Sequence, residues 1–251
     1  MKAIIIAAGT GRRLYPITKD IPKSLVDVGQ GITLLETQLH SLKECGIKDI
    51  VMIIGYRADQ IESKLKEYGS DFNIEIVYNP FFESSNNLVS VWMARHCFSN
   101  EFITINGDDI FDVSVIRELM KSAYPITMVT DIKIQYDEDD MKIISADGLV
   151  KRVSKKVPVE EANGESVGII KFCGSGPGIY RDMLESMVRD PENLNVFYLK
   201  AIQNIIDAGH KVHFSQCDPT DWGEIDFHPD LEMIRAYVSQ TNLVERILDK
   251  P

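Results

Sequence analysis

The sequence has no long apolar run: nothing in its 251 residues approaches the roughly 18 consecutive apolar positions of a membrane-spanning helix. Cysteine is scarce. The four that occur, Cys45, Cys97, Cys173 and Cys217, stand singly with no Cys-x-x-Cys pair, which excludes a disulfide-stapled scaffold and reads as reduced, mostly buried thiols. Basic residues are outnumbered, 27 to 38, leaving a net charge of −11 and no broad basic field for nucleic acid or an anionic membrane. A phosphorylated small substrate is not excluded, because a few local cations and a divalent metal dominate a cleft whatever the distant surface carries. The opening MKAIIIAAGTGRRL lacks the order of a secretory signal, since its apolar run stops at Ala8-Gly9 and two arginines follow. The expected compartment is the cytoplasm. Internal repeats and low-complexity linkers are also missing.

What is present is alternation. KAIIIAA, IVMIIGY, IEIVYN and FITING read as buried strands. Between them, Thr33 to Cys45, Ala58 to Tyr68 and Asn87 to His96 carry helical spacing. Continuous apolar strands separated by helices indicate a parallel sheet covered on both faces, and right-handed crossovers make it open and doubly wound. The second half is less regular. PITMVTDIKI, MKIISA, LVKRVSKKV and SVGIIKFCG read as strands with antiparallel character, helices are expected at 178–188 and 196–208, and KVHFSQC and WGEID as last strands before a closing helix from Asp230 to Leu248. The expectation is an α/β fold: a Rossmann-like, mostly parallel sheet with an antiparallel acceptor-binding region. It forms one domain over 1–251, with a nucleotide-binding half at 1–130 and an acceptor-binding half at 131–251. Ligands of such sheets sit beyond the carboxyl ends of the strands, here after Ala8, Gly55, Asn79 and Asn106.

The first of those places holds AAGTGRRLYPITKDIPKSLVDV, from Ala7 to Val28. A buried strand delivers Ala8, Gly9, Thr10 and Gly11, whose amides can approach a phosphate, and Arg12, Arg13 and Lys23 follow to meet its oxygens. A dinucleotide fingerprint would need a third glycine where Leu14 stands, and a P-loop a Gly-Lys-Ser/Thr that is missing. The stretch resembles the signature G-x-G-x-R-L-x-P-x-T-x-x-x-P-K of the sugar-phosphate and phosphocholine nucleotidyltransferases, matched by Gly9, Gly11, Arg13, Leu14, Pro16, Thr18, Pro22 and Lys23. The resemblance implies the nucleotide-diphospho-sugar transferase fold, with a loop wrapped around an NTP triphosphate and Arg13 and Lys23 as electrostatic catalysts. Arg12 is auxiliary.

Two further stretches gain a role from the same resemblance. ITINGDDIFD ends a strand in carboxylates, and Asp108 matches the family's metal-binding aspartate, with Asp109 as a supporting or capping residue. DWGEIDFHPDLE places Asp226 at the family's second metal aspartate and leaves Asp230 to open a helix. Mg²⁺ needs only one or two carboxylates when phosphates and waters complete its octahedron, so Asp108 and Asp226 suffice. Ala7, Ala8, Gly9, Thr10, Gly11, Arg12, Asn79, Ser85 and Asp108 are the expected nucleotide contacts, and Asn86, Asn87, Lys142, Lys155, Gly168 and Trp222 the expected acceptor contacts. The acidic run from Asp137 to Asp140 reads as a solvated loop.

The short chain, the Asn86-Asn87 segment and the WGEID ending look most like bacterial phosphocholine cytidylyltransferases. That implies CTP, Mg²⁺, a small phosphorylated acceptor and the synthesis of a cell-surface polysaccharide or lipid precursor. A sugar-1-phosphate nucleotidyltransferase using UTP, dTTP or GTP, and an inactive NTP-binding regulatory domain, are the rival readings. The last helix suits internal packing or a homodimer equally.

Overall fold

The computed structural model describes residues 1–133, 135–241, 243 and 247. Among these residues the strands are β1 (Lys2–Ala7), β2 (Asp27–Gly29), β3 (Ile32–Thr33), β4 (Asp49–Ile54), β5 (Asn73–Tyr78), β6 (Glu101–Asn106), β7 (Asp109–Phe111), β8 (Ile126–Asp131), β9 (Lys142–Ala146), β10 (Leu149–Val153), β11 (Gly164–Cys173), β12 (His213–Gln216) and β13 (Trp222–Glu224). The helices are α1 (Leu34–Glu44), α2 (Ala58–Lys66), α3 (Asn87–Met93), α4 (Val113–Met120), α5 (Gly176–Met187), α6 (Leu199–Asp207) and α7 (His228–Gln240). None of the described helices is long and apolar enough to cross a membrane.

Nine strands form one sheet in the order β5-β4-β1-β6-β11-β8-β12-β10-β9. The first four run parallel, as their continuous apolar runs predict, and β1 is buried from Ala3 to Ile5. β11 then runs antiparallel to both β6 and β8, so the change of direction falls inside the sheet. The expected elements are present with ends shifted by a few residues, but β12 runs parallel to β8, and the closing helix α7 is His228–Gln240, the rest of its expected span to Leu248 falling largely outside the described residues. Helix α4 and the β2–β3 hairpin carry weaker signals and escape the sequence reading. The end strand β5 leaves Ile76 and Tyr78 exposed, with charged Glu75 beside Ile76.

Two features aim the functional segments. Thr33 caps α1 reciprocally with Glu36, fixing where the helix starts behind the first loop. At the end of β6, Gly107 passes so close to β1 that an added Cβ would lie 2.7 Å from the Ile6 carbonyl oxygen and 2.8 Å from Ala7 Cβ. Only a residue without a side chain lets the chain turn there and present Asp108 beside β1. Gly107→Ala is therefore expected to cost about 1–3 kcal/mol, as other overpacking changes do. Urea denaturation checks this, and an unchanged midpoint would mean that the two strand ends separate freely.

Candidate active site

The signature residues earn their places one by one. The loop after β1 folds back through successive 3-10 turns at Arg12–Leu14, Ile17–Lys19 and Lys23–Leu25. The Thr18 hydroxyl donates to the Gly11 carbonyl at 2.6 Å and pins the loop against its own return. Leu14 is fully buried among Val26, Val28, Ile225 and Leu231, so the loop is anchored to the layer that contains α7. The last turn brings Lys23 under the strand ends. Its ammonium donates to Asp108 Oδ2 and to Asp226 Oδ1, each at 2.8 Å, while Arg13 donates to Asp226 Oδ2 at 2.6 Å. The Arg13 guanidinium also lies 5.2 Å from the Phe227 ring centre.

The second half reaches this point through β13, which pairs antiparallel with β7 and sets Glu224 opposite Asp109. Four carboxylates from 108–109 and 224–226 thus crowd together. Burial works against the charge of Lys23, but Asp108 and Asp226 outweigh it and raise the ammonium well above the usual lysine range. Asp226 is likewise held below the usual range although burial opposes it, because Lys23 and Arg13 stand beside it. Asp109 has no such relief. It is fully buried, neither carboxyl oxygen has a hydrogen-bond partner, and burial followed by the Asp108 charge pushes it far upward. Glu224 is pushed up to about 8 by burial and then by Asp108 and Asp226. One ligand oxygen from each of Asp108, Asp109 and Glu224 lies within 4.8 Å of the others. This all-oxygen set is the donor chemistry that Mg²⁺ prefers.

A cavity of about 400 Å³ opens in front of these groups. The first loop lines it with Ala8, Gly9, Thr10 and Arg13, and the segment before α3 with Ser85, Asn86 and Asn87. Asp108, Lys155 and Asp226 lie on its wall too. A smaller recess of about 280 Å³ is bounded by Gly11, Arg12, Arg13, Lys23 and Asp226, which makes it the cationic end of the site. A further cavity of about 530 Å³ shares Asp139, Glu165, Glu224 and Asp226 with the first. Its wall adds Asp131, Asp137, Asp140, Asp230 and the rings of Trp222, Phe227 and Tyr237, against Lys133 as its only lysine or arginine among the described residues.

Not every expected contact faces these spaces. Lys142 is corrected: it is 1% exposed, and its ammonium donates to the backbone carbonyls of Asp137, Glu138 and Asp140. It shapes the acidic loop from behind, and that loop, expected to be merely solvated, contributes Asp137, Asp139 and Asp140 to the cavity wall. Asn79 is fully buried, donating to Ser90 Oγ and accepting from the Phe81 amide, so it braces the turn before α3. Ala7 ends β1 behind the loop, paired with Ile54. Gly168 lies outside the cavity lining at φ +79°, where an added Cβ would come 2.1 Å from the Asn106 amide nitrogen. Trp222 stands in the acidic cavity, its indole donating to Asp131 at 2.7 Å. Asn86 caps α3, Asn87 accepts from the Tyr198 amide, and Asp230 accepts the amides of Asp226 and Phe227 as a helix-opening residue should. The first cavity also takes Asn106, Ser166 and Phe197, which were not among the expected contacts: Asn106 and Ser166 sit inside quoted strands but carry no recognition signal of their own.

A family model described as nucleotidyl transferase matches residues 2–173, and the chain belongs to that family. The choline-phosphate cytidylyltransferase of Streptococcus pneumoniae is 36% identical over 124 residues, 49% of this chain and 52% of that protein, so the match spans about half of that relative's length. The CTP:phosphoglutamine cytidylyltransferase of Campylobacter jejuni is 25% identical over 255 residues, covering 93% of this chain and 98% of the relative. Among solved structures, the inositol-1-phosphate CTP transferase of T. maritima superposes with a TM-score of 0.80 at 21% identity, over 99% of this chain and 96% of that one. The Streptococcus pneumoniae CTP:phosphocholine cytidylyltransferase structure gives 0.76 at 23% identity, over 94% and 97%. These likenesses show the fold that the resemblance implied.

Holding Asp109 without a partner costs free energy at neutral pH in either protonation state. Asp109→Asn is expected to raise the melting temperature of protein kept in EDTA, by about 2–4 °C for each kcal/mol relieved. It is also expected to shrink the rise that added Mg²⁺ produces. A lower midpoint in EDTA would show that the carboxylate is satisfied after all.

Proposed function

We propose that this nucleotidyltransferase moves CMP from CTP to a small phosphorylated acceptor with a positively charged far end, of the phosphocholine type, and releases pyrophosphate. One observation carries the reading: a recess rich in cations and a second cavity lined by eight carboxylates and the aromatic side chains of Trp222, Phe227 and Tyr237 meet at Asp226. A polyanionic nucleotide is repelled from the second space, whereas an ammonium group gains from both its carboxylates and its rings. The named cytidylyltransferase relatives support CTP as the donor. We assign the nucleotide to the half formed by 1–130 and the acceptor to 131–251.

The chemistry needs no acid–base residue, because the acceptor's phosphate is already an anionic nucleophile at neutral pH. It attacks the α-phosphorus in line and pyrophosphate leaves, so the protein's work is positioning and charge neutralisation. Arg13 and Lys23 neutralise the charge that develops on the transferred and leaving phosphates, and Arg12 lines the recess that receives the pyrophosphate end. Ser85, Asn86 and Asn87 offer polar groups to the nucleotide and acceptor, and Lys155 offers an ammonium to the acceptor's phosphate. Asp108 and Asp226, with Asp109 and Glu224 beside them, would hold a divalent cation such as Mg²⁺, which would supply positive charge to offset that of the phosphates. Lys23 bridges Asp108 and Asp226 and lies beside the cationic recess, within the same charge cluster that would face the phosphates.

The test is pyrophosphate release by the purified chain with each of CTP, UTP, dTTP, ATP and GTP. The acceptors are phosphocholine, phosphoethanolamine, glycerol phosphate, inositol phosphate and sugar 1-phosphates. Release is expected with CTP and a cationic acceptor, and loss on adding EDTA. Release confined to a sugar 1-phosphate would overturn the acceptor class and keep the reaction type. Lys23→Ala is expected to fold and to lose about 10²–10³ in turnover, the scale of removing one preorganised electrostatic group. Near-normal turnover would remove Lys23 from the mechanism.

A further inference from the structure

We propose that Glu75, His96 and Cys97 form a second, separate metal site, one suited to Zn²⁺ and similar borderline-soft divalent ions. It lies away from the cleft: α3 begins at the cavity with Asn87, and His96 and Cys97 occupy the turn Ala94–Cys97 beyond its other end. Glu75 comes from β5, the end strand of the sheet.

The donor atoms already stand at ligand spacing. Cys97 Sγ is 3.0 Å and His96 Nε2 3.6 Å from Glu75 Oε1, and the three atoms lie within 4.8 Å of one another. A tetrahedral ion with bonds of about 2.0–2.3 Å needs its ligands roughly 3.3–3.8 Å apart, so small side-chain movements suffice. The histidine is also oriented for the task. Its Nδ1 lies 2.9 Å from the Met93 carbonyl, and a carbonyl can only accept, so Nδ1 carries the proton. In the neutral ring the Nε2 lone pair therefore faces a carboxylate oxygen with no proton between them. That is an unfavourable pairing in the absence of a cation and the usual arrangement of a metal-bound imidazole.

Charge and accessibility agree. Buried Cys97 donates its Sγ–H to Glu75 Oε1, so without metal it is a thiol held against that carboxylate. Metal binding forms the S–metal bond and releases the thiol proton to solvent, leaving one thiolate and one carboxylate to balance a divalent ion. Lys2 pairs with the other oxygen, Glu75 Oε2, at 3.5 Å and leaves Oε1 for the metal. The side chains of Glu75 and His96 are 48% and 62% exposed, which gives an ion an entry path and a water for its fourth position. A sulfur, nitrogen and oxygen set selects against Mg²⁺, so the two sites sort metals by donor type.

The test uses the full chain, stripped with EDTA, dialysed and kept in excess Mg²⁺ so that the carboxylate cluster is satisfied. Titration with Co²⁺ is expected to give visible tetrahedral bands and a thiolate-to-cobalt charge-transfer band at one equivalent. Zn²⁺ calorimetry is expected to show one matching site. Cys97→Ser should abolish the charge-transfer band and weaken Zn²⁺ by more than about tenfold, and His96→Ala should weaken it similarly. The proposal is overturned if the wild type gives no thiolate band, or if Cys97→Ser and His96→Ala bind Zn²⁺ as tightly as it does. Because Mg²⁺-dependent turnover is not the readout, its failure and that of the proposed reaction are distinguishable.

Discussion

Four carboxylates gathered around one ammonium organise this protein. Asp108, Asp109, Glu224 and Asp226 come from two distant segments that would repel each other, and Lys23 holds the two outer ones together. Each end of the chain is needed for the arrangement. The first loop supplies the cations, the end of β6 supplies one acidic pair, and the β7–β13 pairing delivers the other. The anchoring of Leu14 beneath α7 and the close pass of Gly107 over β1 follow from the same requirement, since both fix backbone that must carry charge to a single point. Such concentrated like charge is a local conflict that a purely structural sequence would avoid.

The sheet that supports the cluster changes character at β11. On one side, parallel strands end together and create a row of loops for a phosphate-rich ligand. On the other, antiparallel strands supply Asp131 and Glu165 to the acidic space. Tyr198 ties the two regions, its hydroxyl donating within reach of both Asn106 Oδ1 and the Gly168 carbonyl, at 3.0 and 3.1 Å. Opposite electrostatic signs thus lie side by side, which a net charge of −11 conceals.

The parallel strands, their helices and the first loop were legible because buried strands and a dense signature leave strong marks. Thr18 and Leu14 show why: each signature position answers a separate physical need, a hydrogen bond or an anchor, so few other sequences meet all of them. Asp108 and Asp226 were legible by resemblance. Asp109 was not seen as a buried, unpartnered group, since only the packing of β7 under β13 creates that condition. Lys142 misled for the same reason. The resemblance of its segment to related cytidylyltransferases implied an acceptor contact, and only the folded loop reveals three carbonyls turned inward on it. Trp222 was expected at the acceptor, but the acidic cavity around it was not legible as a whole, because its carboxylates are spread from 131 to 230.

The terminal strand β5 carries a different kind of burden. Its outer edge is a ready template for another chain, and Ile76 and Tyr78 lie exposed along it. Glu75, set between Ile74 and Ile76, acts as a gatekeeper whose charge discourages edge-to-edge stacking. That edge charge, already shared with Lys2, stands on the strand most open to pairing and remote from the chemistry, so a cation held by Glu75 would alter the edge and leave the cleft untouched.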